Sequence, residues 1–205
     1  GRPVPIRRPA GASGVFALAL LFAAAARAAD PVPEGVVDQS FALPSGERVL
    51  QMTTLVEAPV AAAWAALTTD AGFQAWAVPL ARIDLRVGGS IESSYDAKIH
   101  LGSGKTIRNE IVALVPERLL VIRNVQAPQG VPFDVATFQQ TQTAMLFEPL
   151  DATRSRITLL SGRFPEGARY DGVYSFFFAG NAYTLGELRR HLAQRSSAGV
   201  TAEDA

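Results

Sequence analysis

The sequence predicts an α+β domain in which seven antiparallel strands form one sheet and a long helix ends the fold, in the order β-α-α-β-β-β-β-β-β-α. Three observations predict it. An apolar, β-branched run over residues 49–57 switches at Ala58-Pro59 into an alanine-rich helical pattern; short alternating segments separated by turns fill residues 83–161; and the apolar period lengthens to 3.6 over residues 170–194.

The first strand covers residues 49–57. Pro59 ends it, because its ring fixes φ and its missing N–H is harmless at the start of a helix. Val60, Trp64 and Leu67 then recur at helical spacing. Thr69-Asp70-Ala71-Gly72 breaks that helix before a second helical turn leads to Trp76. Ile83, Leu85 and Val87 alternate with Asp84 and Arg86 as a half-buried strand, and Gly88-Gly89 supplies a tight turn or bulge. Further strands are expected over residues 90–97, 106–115, 119–124, 143–149 and 155–161, a meander with short connections. One connection, residues 126–142, is long and holds Pro128, Gly130 and Pro132. It reads as a flap over a cavity mouth or as a plain insertion. In the last helix Tyr174, Phe177 or Phe178, Asn181, Leu185, Leu188 and Leu192 form one stripe, aromatic in its first half and leucine-rich in its second, so the halves should face different surroundings.

Ahead of the domain, residues 1–28 read as a signal peptide: Arg7 and Arg8, an apolar run over residues 15–26, and small residues around Ala28. The run is too short to span a bilayer, which takes about 20 residues. Residues 29–46, rich in Pro and Gly, read as a linker, residues 47–195 as the domain and residues 196–205 as a disordered tail. Cleavage after Ala28 removes four of the 19 basic side chains, Arg2, Arg7, Arg8 and Arg27, and none of the 19 acidic ones. The remaining chain is acidic and offers no basic face for nucleic acid. Without cysteine there is no disulfide and no thiolate metal site. The expected location is periplasmic or secreted, with no transmembrane segment after cleavage.

Several stretches in this order resemble the SRPBCC superfamily, also called START-like, and within it the branch related to heat-shock ATPase activators. They are Glu57-Ala58-Pro59 with Trp64-Ala65-Ala66-Leu67-Thr68, then Trp76, Leu85-Arg86-Val87-Gly88-Gly89-Ser90-Ile91, Val115-Pro116-Glu117-Arg118-Leu119, Phe147-Glu148-Pro149, and Ile157-Thr158-Leu159 before Gly162. The resemblance implies the helix-grip fold, a curved sheet around the final helix with a cavity between them for an apolar or amphipathic small molecule. Superfamily members include lipid carriers, hormone binders, polyketide cyclases and co-chaperones, so fold does not decide function. Three departures fall where a ligand would be felt. Asn124 stands where the family often has an aromatic residue, residues 126–142 are longer than usual, and Tyr174 with Phe176 to Phe178 replace a frequent Trp in the last helix.

Candidate lining residues follow from strand alternation and the helical stripe. If Val112 and Leu114 face the cavity, Arg108 and Glu110 do too, as a ligand anchor or a deep salt bridge; the other placement is a solvated pair near the strand's end. Tyr95 shares a face with Ile91 and Ser93 and is either a hydroxyl donor to a ligand or a core tyrosine. Met145 and Phe147 alternate inward, and Asn124, Tyr174, Phe177, Phe178 and Asn181 complete the set. Gly102-Ser103-Gly104-Lys105-Thr106 looks like part of a phosphate loop, but it lacks the earlier glycine and runs into a strand, so it reads as a hairpin turn. His100 and His191 have no metal-ligand spacing, and His191 is expected to favour the negative end of the helix. No cofactor is expected and no hydrolase elbow occurs; a protein partner is left unknown, a co-chaperone-like interaction being the weaker third reading. The expected function is an exported domain that binds a lipid or aromatic metabolite. The alternative is a cyclase- or isomerase-like enzyme acting on a polyketide-like substrate in the same cavity.

Overall fold

The computed structural model describes residues 32–127, 130–131 and 133–203, with side chains described to residue 196. The expected signal peptide, 1–28, lies outside the described residues. Nine strands form one antiparallel sheet: β1 (Val36–Asp38), β2 (Phe41–Ala42), β3 (Arg48–Val56), β4 (Leu80–Ile83), β5 (Ser90–Ser94), β6 (Ile107–Val115), β7 (Leu119–Gln126), β8 (Gln142–Pro149) and β9 (Ser155–Phe164). Their spatial order is β1-β3-β9-β8-β7-β6-β5-β4, with β2 also on β3. The helices are α1 (Val60–Thr68), α2 (Asp70–Gln74), α3 (Val135–Phe138) and α4 (Ala168–Glu203). No described helix is long and apolar enough to cross a membrane.

The α+β architecture is the expected one, with two strands more. Residues 36–42, expected as linker, pair with β3, Val36 opposite Thr54 and Phe41 opposite Val49. Their backbone bonds satisfy an edge that β3 would otherwise leave open. Residues 196–203, expected as a frayed tail, continue α4; Ser196 donates to the carbonyl of Leu192 in the turn below. The strand expected over residues 83–87 lies earlier, at β4, and Val87 is 60% exposed. There Gly88 has a φ of +79°, its N–H donates to Ile111 O, and Gly89 accepts from Ile111 N–H. The glycine pair thus ties a loop to β6 and does not end a strand.

Pro59 caps α1 with a φ of −58°, and its carbonyl accepts from Ala62 and Ala63. Thr69 ends α1 and starts α2; its hydroxyl accepts from Gly72 N–H at 3.0 Å. Trp64 drops from α1 onto the sheet, edge-on to Phe147 with ring centroids 5.0 Å apart. Trp76 donates to Ala66 O at 3.0 Å and stacks on His191 of α4. Both tryptophans therefore act as wedges that fix α1 and α2 against sheet and helix.

Two separate apolar clusters hold α4 to the sheet. Leu185, Leu188 and Leu192 pack with Trp64, Met52, Ile111, Leu120 and Ile157. Val173 and Phe177 pack with Leu50, Phe138 and Phe164. The leucine and aromatic halves of the helix face different surroundings, as their composition implies. Phe164 reaches the second cluster because β9 carries an irregularity: Leu50 pairs with Ser161 but Arg48 with Phe164, and Arg163 takes a φ of +72°.

Candidate functional site

Two bulges decide which side chains face α4. On β6, Ile111 pairs with Ile122 but Ala113 with Val121, so Val112 is an extra residue and is exposed. On β7, Asn124 pairs with Asn109 but Gln126 with Arg108, so Val125 is extra. A one-residue insertion exchanges the faces of everything beyond it. Ile111 and Leu114 both belong to the core side, and from Ile111 the alternation runs inward through Asn109 and Ile107. Arg108 and Glu110 therefore lie on the opposite face of the sheet, where Glu110 pairs with Arg123. This corrects their expected inward placement, which follows from alternation through Val112, the residue that breaks it.

Tyr95 follows β5 and continues the inward alternation of Ile91 and Ser93. Its surface is 41% open to water, yet its hydroxyl pKa is raised, first by burial and second by its neighbour Tyr183 on α4. The ring is open to water on one side while protein surrounds its hydroxyl. Tyr183 matches this pattern, 42% exposed with its pKa raised first by burial and then by Glu187. The two phenols, one at the end of β5 and one on α4, are electrostatic neighbours.

Deeper in, polar groups form a band between the two apolar clusters. Asn181 of α4 donates from Nδ2 to Ser161 Oγ at 3.0 Å, and Ser161 Oγ lies 2.7 Å from Thr143 Oγ1. Asn124 is buried and donates to Thr141 O at 3.2 Å, which ties the end of the long connection to β7. Asn109, beside it in register, has a buried Oδ1 that accepts no hydrogen bond. An unmatched buried acceptor of this kind costs about 1–3 kcal/mol.

The remaining expected lining residues are taken up by packing. Phe147 is 3% exposed against Trp64, and Met145 is half-buried on the leucine cluster. Phe177 lies 5.6 Å from both Phe138 and Phe164, and Phe178 touches both clusters. Tyr174 turns towards β3, edge-on to Phe164 with the Arg48 guanidinium 4.4 Å from its ring centre. The long connection is built onto the aromatic half of α4: Phe133 and Phe138 pack on Phe176, and Asp134 caps α3 through Ala136 N–H while pairing with Arg169 at 2.8 Å. His191 sits well inside α4, 6.5 Å from Trp76 in a stacked arrangement, not at the helix end. Its pKa is lowered, first by burial and then by Arg195.

The inward face thus carries Tyr95, Asn124 and Asn181 from the expected set together with Asn109, Thr143 and Ser161, and Tyr183 of α4 neighbours Tyr95. Counting back from Ile111 finds Asn109 in the sequence; nothing marks Tyr183, which lies off the apolar stripe. The polar groups here can accept and donate hydrogen bonds to an otherwise apolar molecule. A carboxylate beside them, Glu187 next to Tyr183, is paired with Arg190.

A family model described as activator of Hsp90 ATPase homolog 1-like protein matches residues 57–193. No curated protein is significantly similar in sequence. Among solved structures, the Aha1 dimer from Colwellia psychrerythraea aligns at 14% identity with a TM-score of 0.55, over 70% of this chain and 95% of that one. The Zhui aromatase/cyclase from Streptomyces sp. R1128 aligns at 15% identity and 0.54, over 73% and 96%. A conserved protein of unknown function from Enterococcus faecalis aligns at 13% identity and 0.54, over 75% of each chain. At such identities these likenesses establish the helix-grip fold.

Proposed function

The chain belongs to the activator of Hsp90 ATPase homolog 1-like family, in the SRPBCC superfamily, and from that membership we propose that it binds an apolar or amphipathic small molecule, a lipid or an aromatic metabolite, between the sheet and α4. The observation that carries this reading is the inward polar pair of Tyr95, open to water at the end of β5, and Asn109 on the neighbouring β6. Asn109 Oδ1 supports it, because a buried acceptor without a partner is matched by a hydroxyl or amide of a guest. Apolar walls with a few convergent polar groups are the ordinary composition of a small-molecule site.

The aromatase/cyclase neighbour supports a catalytic variant of the same reading through its fold alone. With Arg108 and Glu110 on the far face, Tyr95 and Tyr183 are the titratable groups argued for this side, and their raised pKa values keep both as hydrogen-bond donors at neutral pH. Binding is therefore preferred over acid–base chemistry. Native mass spectrometry of the purified chain, followed by organic extraction, tests this: an adduct that leaves on extraction is expected, and a bare mass in every preparation overturns it.

Export belongs to the same proposal and rests on the charge and hydropathy pattern of residues 1–28. A chain recovered outside the cytoplasm should begin at Ala29. Recovery of the uncleaved chain from the cytoplasm alone would refute export without touching the binding site.

A further inference from the structure

On the face of the sheet turned away from α4, Arg82, Glu92, Arg108 and Gln126 stand in one row across β4, β5, β6 and β7, each directly opposite the next. Glu92 is 5% exposed and fully engaged. Its Oε2 accepts from Arg82 at 2.7 Å, and its Oε1 accepts from Gly102 N–H at 2.5 Å and from the Thr106 hydroxyl at 2.8 Å. Gly102 turns its N–H inward with a φ of +89°, a conformation in which glycine carries no steric cost. Gln126 fastens the same turn, donating to the carbonyls of Ser103 and Thr106 at 3.1 and 2.8 Å.

Arg108 is different. It stands opposite Glu92 but forms no ion pair with it, and its side chain has no hydrogen-bond partner among the described residues. Together with Arg82, Ser90 and Ser103 it lines a concavity of about 210 Å³. Ser103 Oγ is buried there without a partner. Two guanidinium groups thus flank a single carboxylate whose oxygens are already occupied, leaving one net positive charge, an unmatched hydroxyl and a planar five-donor fork around one hollow.

We propose that this concavity binds a phosphate-sized oxyanion, with Arg108 and the free N–H groups of Arg82 donating to its oxygens and Ser103 Oγ completing the set. Glu92 acts as a positioning residue that holds Arg82 and the 102–106 turn. Guanidinium suits such an anion because its parallel N–H groups match two oxygens at once. A second hollow of about 320 Å³ shares Ser90 and Arg108 and is bounded by Gly88, Gly89 and Glu110, the last neutralised by Arg123. It gives room for the substituent of a phosphate monoester. The site is on the opposite face from the small-molecule space and does not depend on it.

The test is a backbone-amide NMR titration of the full chain at constant ionic strength, with chloride replaced by inorganic phosphate in one series and by glycerol 3-phosphate in another. Saturable shifts confined to residues 82, 90, 102–103 and 108 are expected. Arg108→Ala should weaken them at least about tenfold, and Arg108→Lys should fall between, since an ammonium offers a point charge in place of a fork. Arg156→Ala, which removes an ion pair with Glu148 elsewhere, should leave them unchanged. Tighter binding of glycerol 3-phosphate identifies an esterified ligand, and equal binding identifies free phosphate. Equal saturation in Arg108→Ala, or shifts spread over all basic side chains, overturns the proposal. Arg108 is exposed and unpaired, so its alanine variant should fold, and unchanged far-ultraviolet dichroism checks this.

Discussion

Asn181 on α4 donates to Ser161 Oγ on β9 at 3.0 Å, and that one bond divides the helix into its two apolar halves. Ser161 is fully buried and also contacts Thr143 at 2.7 Å. The pairing sets Asn181 between the leucine and aromatic halves of α4, whose Leu185 and Phe177 face inward. Asn181→Ala leaves Ser161 with one partner and should lower stability by about 1–2 kcal/mol in urea unfolding. A loss below about 0.3 kcal/mol would mean that the helix is held by its apolar contacts alone.

Gly89 is required by space. A Cβ there would lie 2.0 Å from Asp84 O and 2.9 Å from Arg86 O, both backbone atoms. Gly89→Ala must displace the 84–89 loop and its bonds to Ile111, and a cost of about 1–3 kcal/mol is expected. Gly104→Ala, where a Cβ meets nothing within 4 Å, is the control and should be nearly neutral.

Asp134 anchors the long connection. Its pKa is lowered, first by the hydrogen bond from Arg169 and then by that from Ala136 N–H. A depressed carboxylate contributes above the unfolded aspartate pKa of about 3.9, and the contribution is lost as pH falls through the lower folded value. Asp134→Ala should therefore speed hydrogen exchange of the amides at 136–141 at pH 7, and wild type should approach the variant's rate, after correction for intrinsic exchange, as pH falls below about 4. An unchanged rate at pH 7 would show that Phe133 and Phe138 hold the segment unaided.

Glu92 gives a second acid-sensitive element. Burial acts to raise its pKa, but the bonds from Gly102, Thr106 and Arg82 outweigh that and leave it lowered. Glu92→Gln should cost about 1–3 kcal/mol at pH 7. The gap from wild type should shrink as the pH drops below about 4.3 and through the folded value, because wild type then loses its carboxylate too. A gap independent of pH would assign the loss to shape and not to charge.

Much of the fold was legible because its signals are local. Pro59 marks the strand-to-helix switch, alternation marks β5 to β9, and a 3.6 period marks α4. Residues 36–42 were not legible, since the two strands in them are only three and two residues long and form by pairing with β3. The site was half legible. Tyr95 and Asn181 follow from uninterrupted periodicity, whereas Arg108 and Glu110 were misplaced because a bulge has no sequence signature of its own: Val112 looks like any other strand valine. The aromatic residues of α4 suggest a ligand wall, but Phe133 and Phe138, 43 and 39 positions along the chain from the Phe176 and Phe177 they pack on, meet them first. Sequence distance of that kind hides a contact from any local pattern.

Capture of a small molecule between sheet and α4 is tested most directly by titrating 2-naphthol, an apolar ring system with one hydroxyl, while following backbone amide shifts. Saturable changes at Ser93, Tyr95, Asn109 and Asn124, together with residues 181–183 of α4, are predicted. No saturable change, or changes confined to the face that carries Arg108 and Glu110, would contradict it.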